Sequence, residues 1–305
     1  MITVFGSTNL DQIGTVSRLP RPGETVAGGS FSMAAGGKGA NQALAARRAG
    51  AGVRHVSAVG KDAFADLALA LLKADGVDLS AMKVVDGATG IAMIFVDSHG
   101  ENVIAILPGA NGQVTPQDAD AALAGRIGGV MLLQQEIPQA ATERALDLAR
   151  AQGVTAILNT APFLDTTAAI APKAAILIAN ETEFELLTGR GLAELDAAME
   201  DWARRHAQTV VVTLGGDGAR AVTGEGRRIT VPALPVTPVD TVGAGDTFCG
   251  YLAAGLDAGL DLEAAMRRAA VAGSLACLKP GAQPAIPRAA EVDAAMPAQT
   301  RLTTA

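Results

Sequence analysis

Four apolar runs in the second half of the chain constrain its fold more than any other feature. None alternates polar and apolar residues, as a strand with one face in water would. The runs are GVMLLQ, VTAILN, AILIAN and TVVVTLG, at 129–134, 154–159, 175–180 and 209–215. Helical patterns over 139–152, from 181 onward and over about 192–206 separate them. Apolar strands separated by helices predict a parallel sheet that is buried between two layers of helices.

The rest of the chain completes this plan. Its first half adds strands at 2–6 and 55–60 and helices over about 41–49 and 64–74, and two helices over about 246–258 and 261–276 precede a proline-rich tail. Two β-rich runs in TGIAMIFVDSHGENVIAIL, at 89–107, predict a β-hairpin. Residues 10–35 have no helical period. We expect one α/β domain over 1–305, with three α/β/α layers around a central, mostly parallel sheet. A small β excursion is expected from about 10–35 and 88–107.

The composition excludes several classes of function. The 305 residues are 49% hydrophobic but only 3% aromatic, so the core must consist of Ala, Val, Leu and Ile. A formal net charge of −7 gains little from nucleic acid or anionic lipid, so neither a nucleic acid nor a membrane is expected as a partner. No apolar run reaches the roughly 18 residues of a membrane span, and MITVFGSTNLD lacks the basic start of a signal peptide. We expect a cytoplasmic protein.

Cysteine and histidine give no sign of a disulfide framework or a zinc site. Cys249 and Cys277 stand alone in helical contexts and are interpreted as small buried residues. The three histidines are scattered, and neither HExxH nor CxxC occurs.

Residues 239–248, VDTVGAGDTF, combine bare backbone with a carboxylate. Asp is a common helix cap, so a structural turn that enters a helix is one interpretation. The other is chemical: small residues leave backbone N–H groups open at the positive end of a helix, which binds anions. Asp246 would repel a phosphate there unless it had another task, such as taking a proton from an attacking hydroxyl. This stretch alone does not decide between the two.

No single nucleotide motif accounts for the glycine-rich loops. Gly37-Lys38 is followed by Gly39 rather than Ser or Thr, so there is no Walker A loop. The strict GxGxxG fingerprint is absent. GDGARA at 216–221 meets its relaxed form, but the residues that follow predict a hairpin instead of the required helix. The protein-kinase set HRD and DFG is also absent.

Motifs in order along nearly the whole chain together resemble the ribokinase-like (PfkB-type) sugar kinases. They are AGGKGANQA at 35–43, NETE at 180–183, TLGGDG at 213–218, DTVGAGDTF at 240–248 and KPGAQPAIP at 279–287. Within the family, GGKGANQ, Asn9-x-Asp11 and GAQPAIP are most similar to the D-ribose kinases. The resemblance implies a central sheet with helices on both faces, a β-sheet lid over the sugar, and a homodimer formed through that lid.

The resemblance also implies roles for individual residues. Asp246 matches the catalytic base, and the backbone of Gly243, Ala244 and Gly245 matches the anion hole for the transferred phosphate, where fixed N–H donors suit phosphoryl transfer. Sugar binding is implied for Asn9, Asp11, Gly37, Lys38, Asn41, Glu136 and Asp246. Contacts to ATP are implied for Asn180, Thr213, Gly215, Gly218 and Gly245.

Two metal sites follow from the same resemblance. Asn180 and Glu183 match the NxxE motif, lie one turn apart on a helix, and would hold Mg²⁺ through water; an ordinary helix start is the alternative. A monovalent cation, K⁺, is implied beside the anion hole, where backbone carbonyls would hold it. Its positions are Asp240, Val242, Ala276, Lys279, Gly281 and Ala285. Lys38 also has a plain alternative, as a surface charge.

The chain departs from the family pattern in two places. Asn159-Thr160-Ala161-Pro162 stands where related chains often have Asn-Pro-Ala-Pro, and Leu278-Lys279-Pro280 replaces a more basic stretch. Both departures leave Asp246 and the anion hole intact.

The leading hypothesis is transfer of the ATP γ-phosphate to the 5-hydroxyl of D-ribose. Fructose, 2-keto-3-deoxygluconate and a nucleoside such as adenosine are alternative substrates. A nucleoside needs apolar or aromatic surface for its base, and Phe31 and Phe95 are the only aromatic residues in the predicted lid. A sugar-binding module without catalysis is disfavoured because Asp246 and its loop are present. An NAD-dependent oxidoreductase is disfavoured because no helix is predicted after Gly216.

Overall fold

The computed structural model describes residues 1–124 and 129–296. Runs rich in Val, Ile and Leu form its strands, as expected for residues that pack well on a pleated surface. The strands of the described residues are β1 (Ile2–Phe5), β2 (Asn9–Val16), β3 (Gly28–Gly36), β4 (Val53–Val56), β5 (Ala58–Gly60), β6 (Lys83–Val85), β7 (Gly90–Val96), β8 (Asn102–Leu107), β9 (Val130–Leu133), β10 (Thr155–Asn159), β11 (Ile176–Asn180), β12 (Thr209–Thr213), β13 (Ala219–Val222) and β14 (Arg228–Val231).

The helices lie between these strands and in the last fifth of the chain. Those of the described residues are α1 (Lys38–Arg48), α2 (Ala63–Ala74), α3 (Pro116–Leu123), α4 (Gln139–Ala151), α5 (Thr167–Ile170), α6 (Glu181–Thr188), α7 (Leu195–His206), α8 (Ala244–Asp257), α9 (Leu262–Ala276), α10 (Ala282–Ala285) and α11 (Ala289–Ala295). None of these helices is long and apolar enough to cross a membrane.

Eight of the described strands form the central sheet, in the order β14-β13-β12-β11-β10-β9-β1-β4. From β12 to β4 all neighbours are parallel, which confirms the predicted mostly parallel sheet. β13 and β14 extend the sheet as an antiparallel hairpin at one edge. A short 3-10 turn, Gly215–Asp217, leads directly into β13, so the helix required by a dinucleotide fingerprint is absent there.

Helices cover both faces of the central sheet, as predicted. Neighbouring residues of β1 illustrate this, since Val4 packs into one core with α1, α8 and α9, and Phe5 packs into the other with α4 and α7. Because each strand buries both of its faces, the sequence of the strands shows no polar alternation.

A separate sheet of four strands has the order β3-β2-β7-β8, and we call it the small sheet. β7 and β8 pair antiparallel, which confirms the predicted hairpin. Residues 10–35, expected to be part of a β excursion although no individual strands were predicted, supply most of β2 and β3, which confirms the excursion. β2 runs parallel to β7 and antiparallel to β3. Only three residues, 6–8, separate β1 from β2. The small sheet is therefore joined directly to the central sheet.

The two faces of the small sheet differ because side chains alternate along each strand. Asp11 pairs across the strands with Ala34 and Ala92, so these three residues share one face. Phe31 and Phe95 are both in register with Gly14, on the opposite face. We call that opposite face the apolar face. Its exposed large side chains are Phe31, Met33, Met93, Phe95, Val103 and Leu107.

The structure corrects the predicted elements in two further places. The run at 55–60 is split, because β4 joins the central sheet whereas β5 pairs with β6 in a separate two-stranded sheet. The proline-rich tail is not irregular throughout but contains α10 and α11. Arg48 Nη1 donates to the carbonyl oxygens of Gln283 and Ile286, which fixes this tail to the end of α1.

Candidate active site

Asp246 lies in the first turn of α8 and is buried, with 8% of its surface exposed. Both carboxylate oxygens accept hydrogen bonds from α1. Asn41 Nδ2 donates to Oδ2 at 2.9 Å, and Gln42 Nε2 donates to Oδ1 at 2.9 Å. One turn after Asp246, the backbones of α8 and α1 are in close contact at Gly250. A Cβ built on Gly250 would lie 2.7 Å from the carbonyl oxygen of Gln42. This contact brings the two amides to the carboxylate.

The loop before Asp246 has the form expected of an anion site. Gly243 caps α8 with a φ of 76°, a left-handed conformation that suits glycine. Apart from its chain neighbours and the backbone of its own helix, no described atom lies within 4 Å of the position that a Cβ on Gly245 would take, so this residue faces open space. The N–H groups of Gly243, Gly245 and Asp246 donate to no described residue, whereas that of Ala244 donates to the carbonyl oxygen of Thr241 at 3.3 Å. Three backbone donors are therefore free at the start of this helix, where anions bind.

Three charged side chains, Asp11, Lys38 and Glu136, act electrostatically on one another and on Asp246. Burial, together with the carboxylates of Glu136 and Asp246, raises the pKa of Asp11 to about 7. Burial lowers the pKa of Lys38, but Asp246 and Glu136 outweigh it and raise that pKa above its ordinary value. No described residue accepts a hydrogen bond from Lys38 Nζ. Its ammonium is thus not an ordinary surface charge, and it remains free to bind an anion.

Glu136 follows β9 and is held in place by two donors. Ser7 Oγ donates to Glu136 Oε2 at 2.6 Å, and the backbone N–H of Lys38 donates to the same oxygen at 2.9 Å. The other oxygen, Oε1, accepts no hydrogen bond within the described part of the chain. Glu136 can therefore offer one carboxylate oxygen to a sugar hydroxyl.

Asn9 is oriented by a residue that the sequence did not single out. Asn111 Nδ2 donates to Asn9 Oδ1 at 2.7 Å and to the carbonyl oxygen of Thr8 at 3.1 Å, and its Oδ1 accepts from the Thr8 N–H at 2.9 Å. With its oxygen occupied, Asn9 presents Nδ2 as a donor. Gly37 lies against the backbone of Asn9. The one signal available for Asn111 was its place in the turn after the predicted hairpin.

Thr8, the residue before Asn9, belongs to a buried polar cluster with His55 and Ser57. Thr8 Oγ1 contacts His55 Nε2 at 2.9 Å and donates to Ser57 Oγ at 3.0 Å. Burial lowers the pKa of His55 to about 4, so the imidazole is neutral at pH 7. Its role is to satisfy the buried Thr8 hydroxyl rather than to carry charge.

A cavity of about 500 Å³ opens on the other side of the α8 N-terminus. Every predicted ATP contact lines it: Asn180, Thr213, Gly215, Gly218 and Gly245. Residues of α9 that were left unassigned also line it, among them Ala270, Gly273 and Ser274, together with Cys277. Small side chains and bare backbone leave a slot of a size that suits a small-molecule cofactor.

Asn180 and Glu183 form a capping box at the start of α6. Asn180 Oδ1 accepts from the Glu183 N–H at 2.7 Å, and Glu183 Oε2 accepts from the Asn180 N–H at 3.1 Å and from Thr160 Oγ1 at 2.8 Å. Among the described residues no group of three or more His, Cys, Asp or Glu side chains could hold a metal directly. Glu183 Oε1 stays without a partner in the described chain. This capping box is the ordinary helix start that was the alternative interpretation. Glu183 Oε1 could still accept a hydrogen bond from a water bound to Mg²⁺, and Mg²⁺ at this pair stays a prediction.

The residues predicted to hold K⁺ come from two loops. Asp240 Oδ1 accepts from the Val242 N–H at 3.0 Å and Oδ2 from the Gly281 N–H at 2.8 Å. The carbonyl oxygens of Val242 and Lys279 accept no hydrogen bond from the described residues. Lys279 points outward, with Nζ 3.3 Å from Glu291 Oε1. Unpaired carbonyl oxygens in two tethered loops fit a weakly held cation.

The polar cluster around Asp246 and the cavity lined by Gly245 thus meet at the start of α8. A family model described as "pfkB family carbohydrate kinase" matches residues 1–289. The chain belongs to the pfkB family of carbohydrate kinases. This pfkB kinase is 37% identical over 294 residues to a ribokinase of Bacillus subtilis, covering 96% of the chain and 98% of the relative. It is 34% identical to a deoxyribokinase of Salmonella typhi, over 94% of the chain and 95% of the relative.

Solved structures agree with this placement. A structure of Arabidopsis thaliana ribokinase complexed with ribose and ATP has a TM-score of 0.87 and 30% identity, covering 97% of this chain and 98% of that one.

The pfkB kinase spans about half, 54%, of a bifunctional ribokinase/ribose-5-phosphate isomerase A of Fructilactobacillus sanfranciscensis, to which it is 36% identical. Family, relatives and fold together identify the chain as an ATP-dependent carbohydrate kinase with a ribokinase-like fold.

Proposed function

We propose that this kinase transfers the γ-phosphate of ATP to the 5-hydroxyl of D-ribose. The observation that carries the proposal is the position of Asp246. Its carboxylate is fixed by two amides of α1, between the polar sugar-side cluster and the slot that the predicted ATP contacts line. A general base must reach the attacking hydroxyl while the phosphate lies against fixed donors, and this arrangement supports both requirements.

In the proposed reaction Asp246 accepts the proton of the 5-hydroxyl as the sugar oxygen bonds to the γ-phosphorus. The bond from that phosphorus to the β–γ bridging oxygen breaks, and ADP leaves with the electron pair. The free N–H groups of Gly243, Gly245 and Asp246 stabilise the charge on the transferred phosphoryl group, and that of Ala244 joins them if it releases the carbonyl oxygen of Thr241. Lys38 adds a positive charge that no described residue neutralises by hydrogen bonding.

Sugar hydroxyls would be bound by groups that the fold leaves free. Asn9 offers Nδ2 as a donor, whereas Asp11 and Glu136 offer carboxylate oxygens. The Asn41 Oδ1 atom is buried and has no partner among the described residues, which suits a ligand hydroxyl. The aromatic side chains of the small sheet, Phe31 and Phe95, lie on the face opposite Asp11. This supports a bare sugar over a nucleoside, whose base would need apolar surface.

Two ions complete the proposal. Asn180 and Glu183 would hold Mg²⁺ through water, and the ion would offset the negative charge of the ATP phosphates. Asp240 and the carbonyl-bearing loops at 242 and 276–285 would hold K⁺, which would order the loop before α8 without touching substrate.

We further propose a lid, a dimer and a location. The small sheet would close over the sugar with the face that carries Asp11, and its apolar face would pair with a second copy of the chain. The whole chain would act as one kinase domain. Two free cysteines, Cys249 and Cys277, suit a reducing compartment, so we place the enzyme in the cytoplasm.

The test is a coupled assay of ADP release by the purified enzyme with D-ribose, 2-deoxy-D-ribose, D-fructose, 2-keto-3-deoxygluconate and adenosine. We expect the highest kcat/KM with D-ribose, and phosphorus NMR of the product should show the phosphate on the 5-oxygen. A higher kcat/KM with another acceptor would overturn the substrate but not the kinase. A thermal-shift assay distinguishes a kinase from an NAD-dependent oxidoreductase, since ATP should raise the melting temperature of the protein and NAD should not.

A further inference from the structure

Gln42 is completely buried and uses every polar atom of its side chain. Its Nε2 donates to Asp246 Oδ1 at 2.9 Å and to Asn159 Oδ1 at 3.1 Å. Its Oε1 accepts from Gln134 Nε2 at 2.6 Å. Gln42 reaches Asp246 from α1, and no part of its amide is left for a substrate. Its contact with Asp246 is therefore a property of the folded protein alone.

The direction of this amide is fixed by a group that cannot change its role. The backbone carbonyl of Ile178 can only accept, so the Nδ2 of Asn159 must face it, as it does at 3.3 Å. Asn159 Oδ1 then faces Gln42, and Gln42 must donate to it with its NH₂ group. Gln134 Nε2 donates to Gln42 Oε1 and is compatible with this orientation. The N–H of Gln42 is thus committed to Asp246, because a flipped amide would place two oxygens against each other at both contacts.

We propose that Gln42 is a positioning residue. Its hydrogen bond to Oδ1 fixes the Asp246 carboxylate so that Oδ2, which also accepts from Asn41, faces the sugar hydroxyl, and a donated hydrogen bond favours the charged carboxylate. The inference rests on the proposed role of Asp246 as the base. Asn41 also touches Asp246, but its Oδ1 has no partner among the described residues and is proposed above to bind the sugar, so the loss of Asn41 would affect sugar binding as well. Gln42 separates the two effects because it touches the carboxylate and not the sugar.

Several charged or titratable groups act on Asp246 besides these amides. Asp11 approaches from β2, Lys38 lies at the start of α1, and Cys249 follows one turn later on α8. Glu136 and Glu183 face the same cluster from the loop after β9 and from α6. None of them donates a hydrogen bond to Asp246. Hydrogen bonds to a carboxylate stabilise its charged form, so the loss of a donor should be visible in the pH profile.

The experiment measures kcat and KM for sugar and ATP across pH in wild type, Gln42→Met and Gln42→Glu. Met keeps the length of the side chain and removes the donor. We expect kcat to fall at least about tenfold at neutral pH, the range for a hydrogen bond to a charged group, with KM for ATP unchanged. The acid limb of the kcat profile should move upward by about one pH unit. Glu, which is isosteric, should move it further, because two adjacent carboxylates share a proton.

Gln208→Met is the matched control. Gln208 is buried and also fully hydrogen-bonded, with Nε2 donating to the carbonyl oxygens of Ala171 and Ala174 and Oε1 accepting from Trp202 Nε1. It does not line the cavity. The same substitution there should lower the melting temperature and leave the acid limb unchanged. An equal shift of the limb in Gln208→Met would overturn the proposal, since the effect would then be one of stability.

Asp246→Asn is measured in parallel to distinguish two failures. If Asp246→Asn turns over like wild type, the proposed base is wrong and the role of Gln42 falls with it. If Asp246→Asn is slow but both Gln42 variants keep the wild-type kcat and acid limb, the base stands and the positioning role is wrong. The isosteric Glu variant carries the test if Gln42→Met does not fold.

Discussion

Asp240 Oδ2 accepts a 2.8 Å hydrogen bond from the backbone N–H of Gly281, and so joins two loops that lie 41 positions apart in the chain. The second carboxylate oxygen turns back on the N–H of Val242. One side chain thus ties the loop that enters α8 to the loop that enters α10. Gly243 follows directly after the first loop and packs closely against Ala282. A Cβ built on Gly243 would lie 2.9 Å from Ala282. The aim of the free donors of α8 therefore depends on this tie.

We expect K⁺ to raise turnover several-fold over Na⁺ at constant ionic strength, and Asp240→Ala to lose this response. The cation would order residues 240–245, and a fixed N–H donor at such a site contributes about 2.7–4 kcal/mol to transition-state binding. The measurement replaces K⁺ by a bulky organic cation. Lys279→Ala is the control, because its side chain points to Glu291 and only its carbonyl would bind the ion. Equal rates in K⁺ and in the organic cation would show that the chain has no such site.

Asp246→Asn should slow turnover by about 10²–10⁴, the usual contribution of a positioned general base. The amide is isosteric, so the fold and the binding of sugar and ATP should persist. Circular dichroism and calorimetry with each substrate check those two points, and the coupled assay measures kcat. A purified Asp246→Asn enzyme with nearly wild-type kcat would refute the assignment.

Substitution of Asn9 or Asp11 by Ala should weaken sugar binding far more than ATP binding. Each side chain lies on β2 and offers a group that the fold leaves free, and a hydrogen bond involving a charged group contributes roughly 1.5–3 kcal/mol. Calorimetry with sugar and with ATP measures both affinities. Thr213→Ala, in the cavity that the predicted ATP contacts line, should show the reverse preference. Unchanged sugar affinity in both β2 variants would contradict the sugar site.

Asp11→Asn should flatten one part of the dependence of stability on pH. The pKa of Asp11 is about 7 in the folded protein against an ordinary 3.8, so above pH 3.8 the unfolded chain releases this proton first. The contribution of Asp11 to stability is therefore fully present below pH 3.8 and is lost as pH rises towards 7. Urea unfolding of wild type and Asp11→Asn over this window measures the difference. A difference in unfolding free energy that does not change with pH would mean that Asp11 titrates normally.

The apolar face of the small sheet should be a dimer contact. Val103 lies on this face beside Phe95, whereas Ile104 is the next residue and points the other way. The two are almost equally exposed, at 53% and 51%, so they form a matched pair. We expect wild type and Ile104→Asp to be dimers by light scattering at micromolar concentration and Val103→Asp to be a monomer. An active wild-type monomer would refute the dimer.

Much of the fold was predictable because burial on both faces leaves a strong sequence signal. The strands from β9 to β12 were found as apolar runs, and the hairpin of β7 and β8 from its turn. The pairing of β5 with β6 was not, because three residues per strand carry no period and the partner is distant in sequence. α10 is a single turn, held by contacts of Arg48 that no local pattern reveals.

For the site, sequence motifs named the residues but not the contacts between them. The motif GGKGANQA contains both Asn41 and Gln42, yet only a structure shows that they hold the two oxygens of Asp246. Asn111 was missed for the same reason, since it reaches Asn9 across 102 positions. Hydrogen bonds over such separations depend on how helices and sheets pack, which periodicity does not encode.

The backbone contact of α8 with α1 at Gly250 limits how this chain can evolve. Even an alanine at Gly250 must displace the backbone of Gln42, and with it the amide that touches Asp246. Phe31 and Val103 on the apolar face are exposed and have no such packing constraint, so they can be replaced as the surface that contacts them changes. A related chain that kept every residue of both proposed sites but lost Gly250 would therefore have the proposed catalytic groups in the wrong relative positions.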